Sequence, residues 1–194
     1  LSPLTALYEN RDSAFHLVDK GFSPFANGSI DWGDFDNDGD NDILLTGETN
    51  AAPLYCASKI YRNYQGSFIE LEANLVPVKF GKGLFGDYDM DGDLDILLCG
   101  RSFDGEKWEA ITKIYKNQSG DFNPTSDLII GLESGSIKWV DLDNDGDLDI
   151  IGNGLTGRFN NRKPVTIYYF YQAGNYHYVN TYLGDLYGGD LTIG

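Results

Sequence analysis

Three copies of one acidic stretch set the pattern of this sequence: DFDNDGDND at residues 34–42, DYDMDGDLD at 87–95 and DLDNDGDLD at 141–149. We call them loop 1, loop 2 and loop 3. Each copy carries aspartate at positions 1, 3, 5, 7 and 9 and glycine at position 6. Carboxylates at alternate positions can surround a hard cation, and glycine permits the sharp turn that brings the far side of such a loop back. The pattern therefore predicts three Ca²⁺ sites.

Other interpretations of the loops fit less well. An EF-hand requires a bidentate glutamate at position 12, where this chain has Leu45, Leu98 and Gly152. Loops that are merely solvated do not explain three copies with glycine at one fixed position. Mg²⁺ suits a flexible cage made wholly of protein oxygens less well than Ca²⁺ does. Calcium is the cofactor that the pattern favours.

The composition limits the classes of protein to consider. The 194-residue chain is long enough for a hydrophobic core, and we expect a single domain over residues 1–194. Its formal net charge is −16, and the three loops hold 15 of its 30 acidic residues, which argues against a nucleic-acid partner. No apolar run reaches the roughly 18–20 residues of a membrane helix, so no membrane insertion is expected.

The calcium prediction also bears on where the protein works. Open sites of this kind commonly have dissociation constants on the order of 10⁻⁴ to 10⁻³ M, which cytosolic calcium does not fill. Each empty loop would leave five carboxylates repelling one another within nine residues. We therefore expect a secreted, extracellular or cell-surface protein.

The acidic loops belong to a longer repeat. Tyr8, Tyr61, Tyr115 and Tyr168 lie in matching segments, which read Ile-Tyr-Arg-Asn and Ile-Tyr-Lys-Asn in the two middle copies. The unit is 53–54 residues long and occurs about 3.6 times. Glycine recurs at the same interval, as Gly28, Gly81, Gly135 and Gly189.

Each unit is predicted to contain four strands. Strand A alternates apolar and polar residues before the loop, as in Ser136-Ile-Lys-Trp139, and strand B is the apolar run after it, as in Ile96-Leu-Leu98. The tyrosine segment gives strand C and a phenylalanine segment gives strand D. Four strands in about 50 residues are typical of a β-propeller blade. The predicted fold class is all-β, a β-propeller of four-stranded antiparallel blades, and a β-sandwich of repeated hairpins is the alternative.

The repeat boundaries follow from this frame. They place repeats at residues 1–26 (strands C and D), 27–80, 81–134, 135–188 and 189–194 (the start of the next strand A). Because a closed ring needs whole blades, we expect a segment of a larger propeller, with a self-contained four-bladed ring as the alternative. Open blade edges would expose unpaired backbone groups and allow self-association.

The motif Asp-x-Asp-x-Asp-Gly-Asp-x-Asp, followed by an apolar strand and Ile-Tyr-x-Asn, resembles the FG-GAP and VCBS repeats. Those repeats are the calcium-binding blades of integrin α-subunit propellers and of many secreted bacterial and fungal proteins. The resemblance covers nearly the whole chain. It implies a propeller, commonly of seven or eight blades. We expect the calcium sites to be structural rather than catalytic, because each ion would join two neighbouring strands of its blade and protein would fill nearly every ligand position.

The resemblance also implies a ligand set for each ion. Side chains at positions 1, 3, 5 and 9 and the backbone carbonyl at position 7 would coordinate it. The predicted metal-site residues are Asp34, Asp36, Asp38, Asp40 and Asp42 in loop 1, Asp87, Asp89, Asp91, Asp93 and Asp95 in loop 2, and Asp141, Asp143, Asp145, Asp147 and Asp149 in loop 3.

A second candidate site lies on the face opposite the loops, where the B-to-C connections differ in every copy. Their aromatic and basic side chains suit stacking on sugar rings or contacts with a protein. Packing of Trp108 and Tyr55 over the blade edge is an equally open interpretation. Cys56 and Cys99 would fall near this face in adjacent blades, where a disulfide is one geometric option. The candidate ligand-binding residues are Tyr55, Phe103, Trp108, Arg158, Phe159 and Arg162.

Together these features favour a calcium-stabilised, non-catalytic binding module of a secreted or cell-surface protein, which recognises an extracellular protein or glycan in adhesion. The sequence shows no nucleophile paired with a base, no histidine cluster and no open metal site. Two alternatives stay open: the propeller part of a secreted polysaccharide-active lyase or hydrolase, and a structural spacer.

Overall fold

The computed structural model describes residues 4–18, 21–51, 54–158, 160–179 and 189, and these residues form strands, turns and connections without a helix. None of this described chain could therefore cross a bilayer as an apolar helix. The strands are β1 (Leu7–Arg11), β2 (Ala14–Val18), β3 (Ala26–Gly33), β4 (Asp42–Glu48), β5 (Cys56–Tyr64), β6 (Ser67–Leu71), β7 (Lys79–Gly86), β8 (Asp95–Phe103), β9 (Trp108–Gln118), β10 (Asp121–Pro124), β11 (Glu133–Val140), β12 (Asp149–Thr156), β13 (Lys163–Gln172) and β14 (Asn175–Tyr178).

The strands form three four-stranded antiparallel sheets and one two-stranded sheet. The four-stranded sheets follow chain order and are called blade 1 (β3-β4-β5-β6), blade 2 (β7-β8-β9-β10) and blade 3 (β11-β12-β13-β14), while β1 pairs with β2. The predicted all-β fold of propeller blades is confirmed. The number of blades in a complete ring stays a prediction, and of the expected next strand A at 189–194 only Gly189 lies among the described residues.

The second strand of each blade supplies the hydrophobic core. Side chains on a strand alternate between its two faces, so neighbouring residues of β8 enter different clusters. Ile96 and Leu98 pack with Leu44 of blade 1, whereas Leu97 packs with Ile150 of blade 3. Each of these side chains is fully buried. The blades are therefore stacked face to face, and the middle blade contributes to two separate cores.

The first strands of blades 1 and 2 are also joined by side-chain hydrogen bonds. The backbone N–H of Gly83 donates to Oγ of Ser29 at 2.9 Å, and that of Phe85 donates to Oδ2 of Asp31 at 2.8 Å. Polar side chains of β3 thus accept hydrogen bonds from backbone N–H groups of β7.

A bulge near the start of each first strand explains the recurring glycines. The pairing register shifts there, and the residue at the bulge has positive φ: Asn27 at 50°, Phe80 at 52° and Ser134 at 55°. The next residue approaches the opposite strand so closely that a Cβ atom would lie 1.7–2.0 Å from a carbonyl oxygen. Only glycine can occupy that position, as it does at Gly28, Gly81 and Gly135.

A buried tyrosine in the third strand of each blade ties the blade to the connection that enters it. Its hydroxyl accepts a hydrogen bond from a backbone N–H of that connection. The pairs are Tyr61 with Ser23 at 3.2 Å, Tyr115 with Val76 at 3.0 Å and Tyr169 with Ile130 at 3.0 Å.

The sequence frame that placed Tyr168 in this set was wrong by one residue. Ile150 pairs with Tyr169, as Ile96 pairs with Tyr115 in blade 2. Because side chains alternate along a strand, Tyr168 faces away from the core position that Tyr169 fills.

Replacing Tyr115 with phenylalanine tests how much the tyrosine hydrogen bond to the entering connection stabilises a blade. The substitution removes the acceptor for the Val76 N–H in a partly buried setting, so we expect a loss of about 1–3 kcal/mol in the free energy of unfolding. Urea unfolding of Tyr115→Phe measures it. Tyr64→Phe is the matched control, because Tyr64 is 58% exposed. Equal stability of the two variants would contradict the prediction.

Candidate metal sites

Each acidic loop closes the hairpin between the first and second strands of its blade. The backbone has positive φ at position 4 and again at position 6 in all three loops. At position 6, Gly39, Gly92 and Gly146 have φ values of 92°, 93° and 98°. A side chain would be strained in this conformation, so the turn explains the glycine in the motif.

The aspartate at position 1 organises the loop backbone. In loop 1, Oδ1 of Asp34 accepts a hydrogen bond from the N–H of Asp38 at 3.0 Å, and Oδ2 accepts one from the N–H of Gly39 at 2.9 Å. At position 5, Asp38 in turn accepts from the N–H of Asp40 at 3.0 Å. Loops 2 and 3 repeat all three bonds. The shape of the loop is therefore set by its own carboxylates.

The aspartate at position 9 joins the loop to the third strand of the blade. Asp42 accepts hydrogen bonds from the N–H of Phe35 at 3.0 Å and from the N–H of Asn63 at 2.7 Å, one on each oxygen. Asp95 and Asp149 make the equivalent pair of bonds. All three side chains belong to residues at most 1% exposed. A buried carboxylate thus ties loop, second strand and third strand together.

Three carboxylates meet in each loop. The aspartates at positions 1, 3 and 9 each offer one oxygen, and these oxygens lie within 4.8 Å of one another. The three groups are Asp34, Asp36 and Asp42, then Asp87, Asp89 and Asp95, then Asp141, Asp143 and Asp149. Each group could hold a metal ion, and the same three positions recur in every blade.

The oxygens of the carboxylate at position 3 show whether a cation fits the site. Oδ1 of Asp89 and Oδ1 of Asp36 are buried oxygens without a hydrogen-bond donor. Leaving a buried acceptor unpaired costs free energy. A hard cation is the partner that a cluster of carboxylate oxygens would accept, so these residues fit a metal ion.

The aspartates at positions 5 and 7 lie outside these groups of three. Oδ2 of Asp40 accepts a hydrogen bond from the N–H of Gln65 at 2.8 Å, and Oδ1 of Asp93 accepts one from Nδ2 of Asn37 at 3.1 Å. The side chain of Asp40 is thus engaged elsewhere, as expected if position 7 contributes its carbonyl. The full ligand sets stay predictions.

Burial without a cation raises the pKa of two position-9 aspartates. The pKa of Asp42 rises from 3.8 to about 6 because the group is removed from water, and Asp36 and Asp38 add to the effect against two backbone hydrogen bonds. Burial likewise raises the pKa of Asp95 to about 7, with contributions from Asp89 and Asp91. A cation in the loop would favour the charged form and lower both pKa values.

These shifts predict how metal and pH act together. Both pKa values are higher in the folded state than the ordinary 3.8, so between about pH 4 and pH 7 the folded state binds more protons than the unfolded state. Without metal, the free energy of unfolding should therefore fall as the pH rises through that window. In chelator, the ¹³C carboxyl NMR signals of Asp42 and Asp95 should titrate near pH 6 and pH 7. With saturating calcium both midpoints should fall below about 4. Midpoints that calcium leaves in place would contradict the prediction.

Sequence reasoning did not assign a role to the asparagine of Ile-Tyr-x-Asn. Nδ2 of Asn63 donates to the carbonyl of Asn41, and Nδ2 of Asn117 donates to the carbonyl of Leu94, both at position 8 of the loop. The same Nδ2 of Asn117 also donates to the carbonyl of Phe35 in the neighbouring blade at 2.8 Å. The recurrence of the motif was the available signal, and the structure shows that it supports the loops.

On the opposite face, the structure brings together two of the predicted ligand-binding residues. Phe103 and Trp108 are paired across the β8–β9 hairpin with ring centroids 5.4 Å apart, and both are partly buried. Nζ of Lys79 lies over the Trp108 ring at 4.6 Å from its centroid. Trp108 therefore packs against its own blade while keeping part of its surface open.

The other predicted residues of that face are dispersed. Arg162 donates to Oε1 of the buried Glu133 at 3.0 Å, and Arg101 pairs with the same carboxylate. Arg158 is exposed, and its backbone forms an isolated antiparallel β-bridge with that of Glu109 in the neighbouring blade. Tyr55 is 55% exposed in the β4–β5 connection. Phe159 lies outside the described residues.

The two cysteines do not form the disulfide that the sequence left open. Cys56 and Cys99 are both buried free thiols. Burial raises the pKa of each thiol, to about 11 for Cys99.

Three stacked blades, each with an acidic loop between its first and second strands, define a repeat protein of the β-propeller class. Comparison with known families gives the particular one: a family model described as FG-GAP-like repeat matches residues 34–98 and 87–152, beginning at the opening aspartates of loops 1 and 2. The chain belongs to this family. Its repeats are typical of extracellular and cell-surface proteins, where they serve as non-catalytic binding modules. No curated protein matches the chain.

Proposed function

We propose that the chain is a calcium-stabilised, non-catalytic binding module of a secreted or cell-surface protein. The observation that carries this proposal is the cluster of three carboxylates that recurs at the same place in three blades. A chance acidic patch would not repeat with the same hydrogen bonds at positions 1, 5 and 9. The family match supports the extracellular setting.

Calcium is the ion that the donor set favours. The ligands offered are carboxylate oxygens on a loop that is built from turns, and Ca²⁺ accepts such flexible all-oxygen sites more readily than Mg²⁺. A bound Ca²⁺ supplies positive charge to carboxylates that otherwise repel one another. Three ions would bring the net charge of −16 to about −10.

The loop residues support a structural role for the ions. Asp42 and its counterparts already connect the loop to the third strand, so a cation held there would brace the first three strands of the blade. At a free calcium concentration of about ten times the dissociation constant, each site would add roughly 1.4 kcal/mol to the stability of the folded state.

The ligand would bind the face opposite the loops. That face carries the Phe103–Trp108 pair with Lys79 beside it, and an aromatic surface next to a polar group suits a sugar ring or a protein side chain. The partner that we propose is an extracellular glycan or protein.

Replacing Asp89 with asparagine tests the calcium sites. Asparagine keeps the size of the side chain, and in the metal-free fold the change weakens only the partly exposed pairing of Oδ2 with Lys116, while it removes a charged ligand from loop 2. We expect calorimetry to count three calcium ions for the natural chain and one fewer for Asp89→Asn. In calcium, the variant should lose about 1.4 kcal/mol of stability at ten times the dissociation constant.

The control is Asp121→Asn, which removes the same charge from an exposed residue of the same blade. It should bind three ions. If the melting temperature of the natural chain were the same in calcium and in chelator, the calcium proposal would be wrong.

Replacing Trp108 with alanine tests the proposed binding face. On a glycan array in calcium, we expect the natural chain to bind and Trp108→Ala to lose at least tenfold in affinity, because the aromatic surface is removed. Tyr64→Ala is the control, since Tyr64 is an exposed aromatic residue that lies at the opposite, loop-facing end of a third strand. Equal losses in both variants would argue against this face, and an array without any hit would leave a protein as the proposed partner.

A further inference from the structure

Basic side chains accompany the carboxylates of loops 1 and 2. Nε of Arg62 lies 2.5 Å from Oδ2 of Asp36, and its Nη2 lies 3.2 Å from Oδ2 of Asp38. In loop 2, Nζ of Lys116 pairs with Oδ2 of Asp89 and lies 3.0 Å from Oδ2 of Asp91. In both loops one basic side chain therefore bridges the carboxylates at positions 3 and 5.

These two residues occupy one position of the repeat. Each directly follows the buried tyrosine of the third strand, which pairs with the first isoleucine of the second strand. In blade 3 that tyrosine is Tyr169, so the equivalent residue is Phe170. Within the described parts of the chain, no Lys, Arg or His lies within 4.0 Å of a loop 3 carboxylate.

This difference between the loops affects the position-3 carboxylate, which a cation would use as a ligand. Position 3 is one of the three positions whose oxygens converge, and in loops 1 and 2 its carboxylate already faces a positive charge. A lysine amine is charged at neutral pH. An incoming cation must displace this charge or bind beside it, and like charges at short distance repel. Loop 3 presents the same carboxylates without that opposition.

We infer that Arg62 and Lys116 are internal counter-cations that make loops 1 and 2 weaker calcium sites than loop 3. The inference rests on the proposed calcium function. Without calcium, the two basic residues neutralise part of the charge of their own loops, whereas loop 3 depends on the ion alone. The three sites are thus of two classes: two with an internal substitute for part of the ion's charge, and one without.

The glycine at position 6 provides a separate reporter for each loop. Its N–H donates to the position-1 aspartate in all three loops. Calcium titration of the ¹⁵N-labelled chain, followed by the amide NMR signals of Gly39, Gly92 and Gly146, gives one midpoint for each site. We expect the midpoint of Gly146 to lie at least roughly fivefold below the other two, the factor that corresponds to one charge pair at about 4 Å in water.

Two variants test the cause of the difference. Lys116→Met should lower the Gly92 midpoint roughly fivefold and leave the Gly146 midpoint unchanged. Phe170→Lys should raise the Gly146 midpoint towards those of the other loops. The matched control is Lys113→Met, which removes the same charge from an exposed position of β9 and should move no midpoint.

The outcomes separate this inference from the proposed function. If no glycine signal responds to calcium, the proposed calcium function fails. If all three signals respond with midpoints within twofold of one another, or if Lys116→Met behaves like Lys113→Met, the calcium function stands and the counter-cation inference is wrong. Phe170 is partly buried, so Phe170→Lys could fail to fold. In that case the result for Lys116→Met decides whether the inference holds.

Discussion

The architecture of each blade depends on one buried carboxylate, the aspartate at position 9 of the acidic loop. Asp42, Asp95 and Asp149 accept backbone hydrogen bonds from the start of their own loop and from the third strand. They also belong to the groups of converging oxygens. Because this side chain is nearly inaccessible to water, its charge needs both the backbone donors and a positive partner. The hairpin, the third strand and the metal site are therefore parts of one arrangement.

Much of this arrangement could be predicted from the sequence, because the repeat shows the same residue types three times. The strands, their order within a blade and the turn at Gly39, Gly92 and Gly146 follow from alternation and from spacing. The failure at Tyr168 has a simple physical origin. The repeat interval is 53 residues between some copies and 54 between others, and Tyr168 and Tyr169 lie 53 and 54 residues after Tyr115. Only the pairing of Ile150 with Tyr169 could therefore decide.

Contacts between distant strands could not be predicted in the same way. The acidic motif does not indicate which third-strand side chain lies over it, so the positions of Arg62 and Lys116 emerged only from the register of the sheets. Arg162 is a second example. A basic residue in a variable connection predicted a ligand contact, and only the structure shows that this side chain also pairs with the buried Glu133 of the same blade.

The blades also differ at the contacts between loops. Nδ2 of Asn37, at position 4 of loop 1, donates to the carbonyl of Gly92 at 3.3 Å and to Oδ1 of Asp93 at 3.1 Å. Loop 2 has Met90 at that position, and its side chain is 60% exposed and has no amide group to donate. Loops 1 and 2 are thus joined by directional hydrogen bonds that position 4 of loop 2 does not offer to loop 3.

The second strand of blade 2 is divided between two cores, each of which it shares with another four-stranded blade. Ile96 and Leu98 support one junction and Leu97 the other, although they are consecutive residues of β8. A displacement of β8 along its own axis would therefore disturb both junctions at once, since the two sets of side chains are fixed to the same backbone. Residues of β7 and β9 divide between the same two cores, so the alignment of blades 1 and 3 depends on three adjacent strands of blade 2.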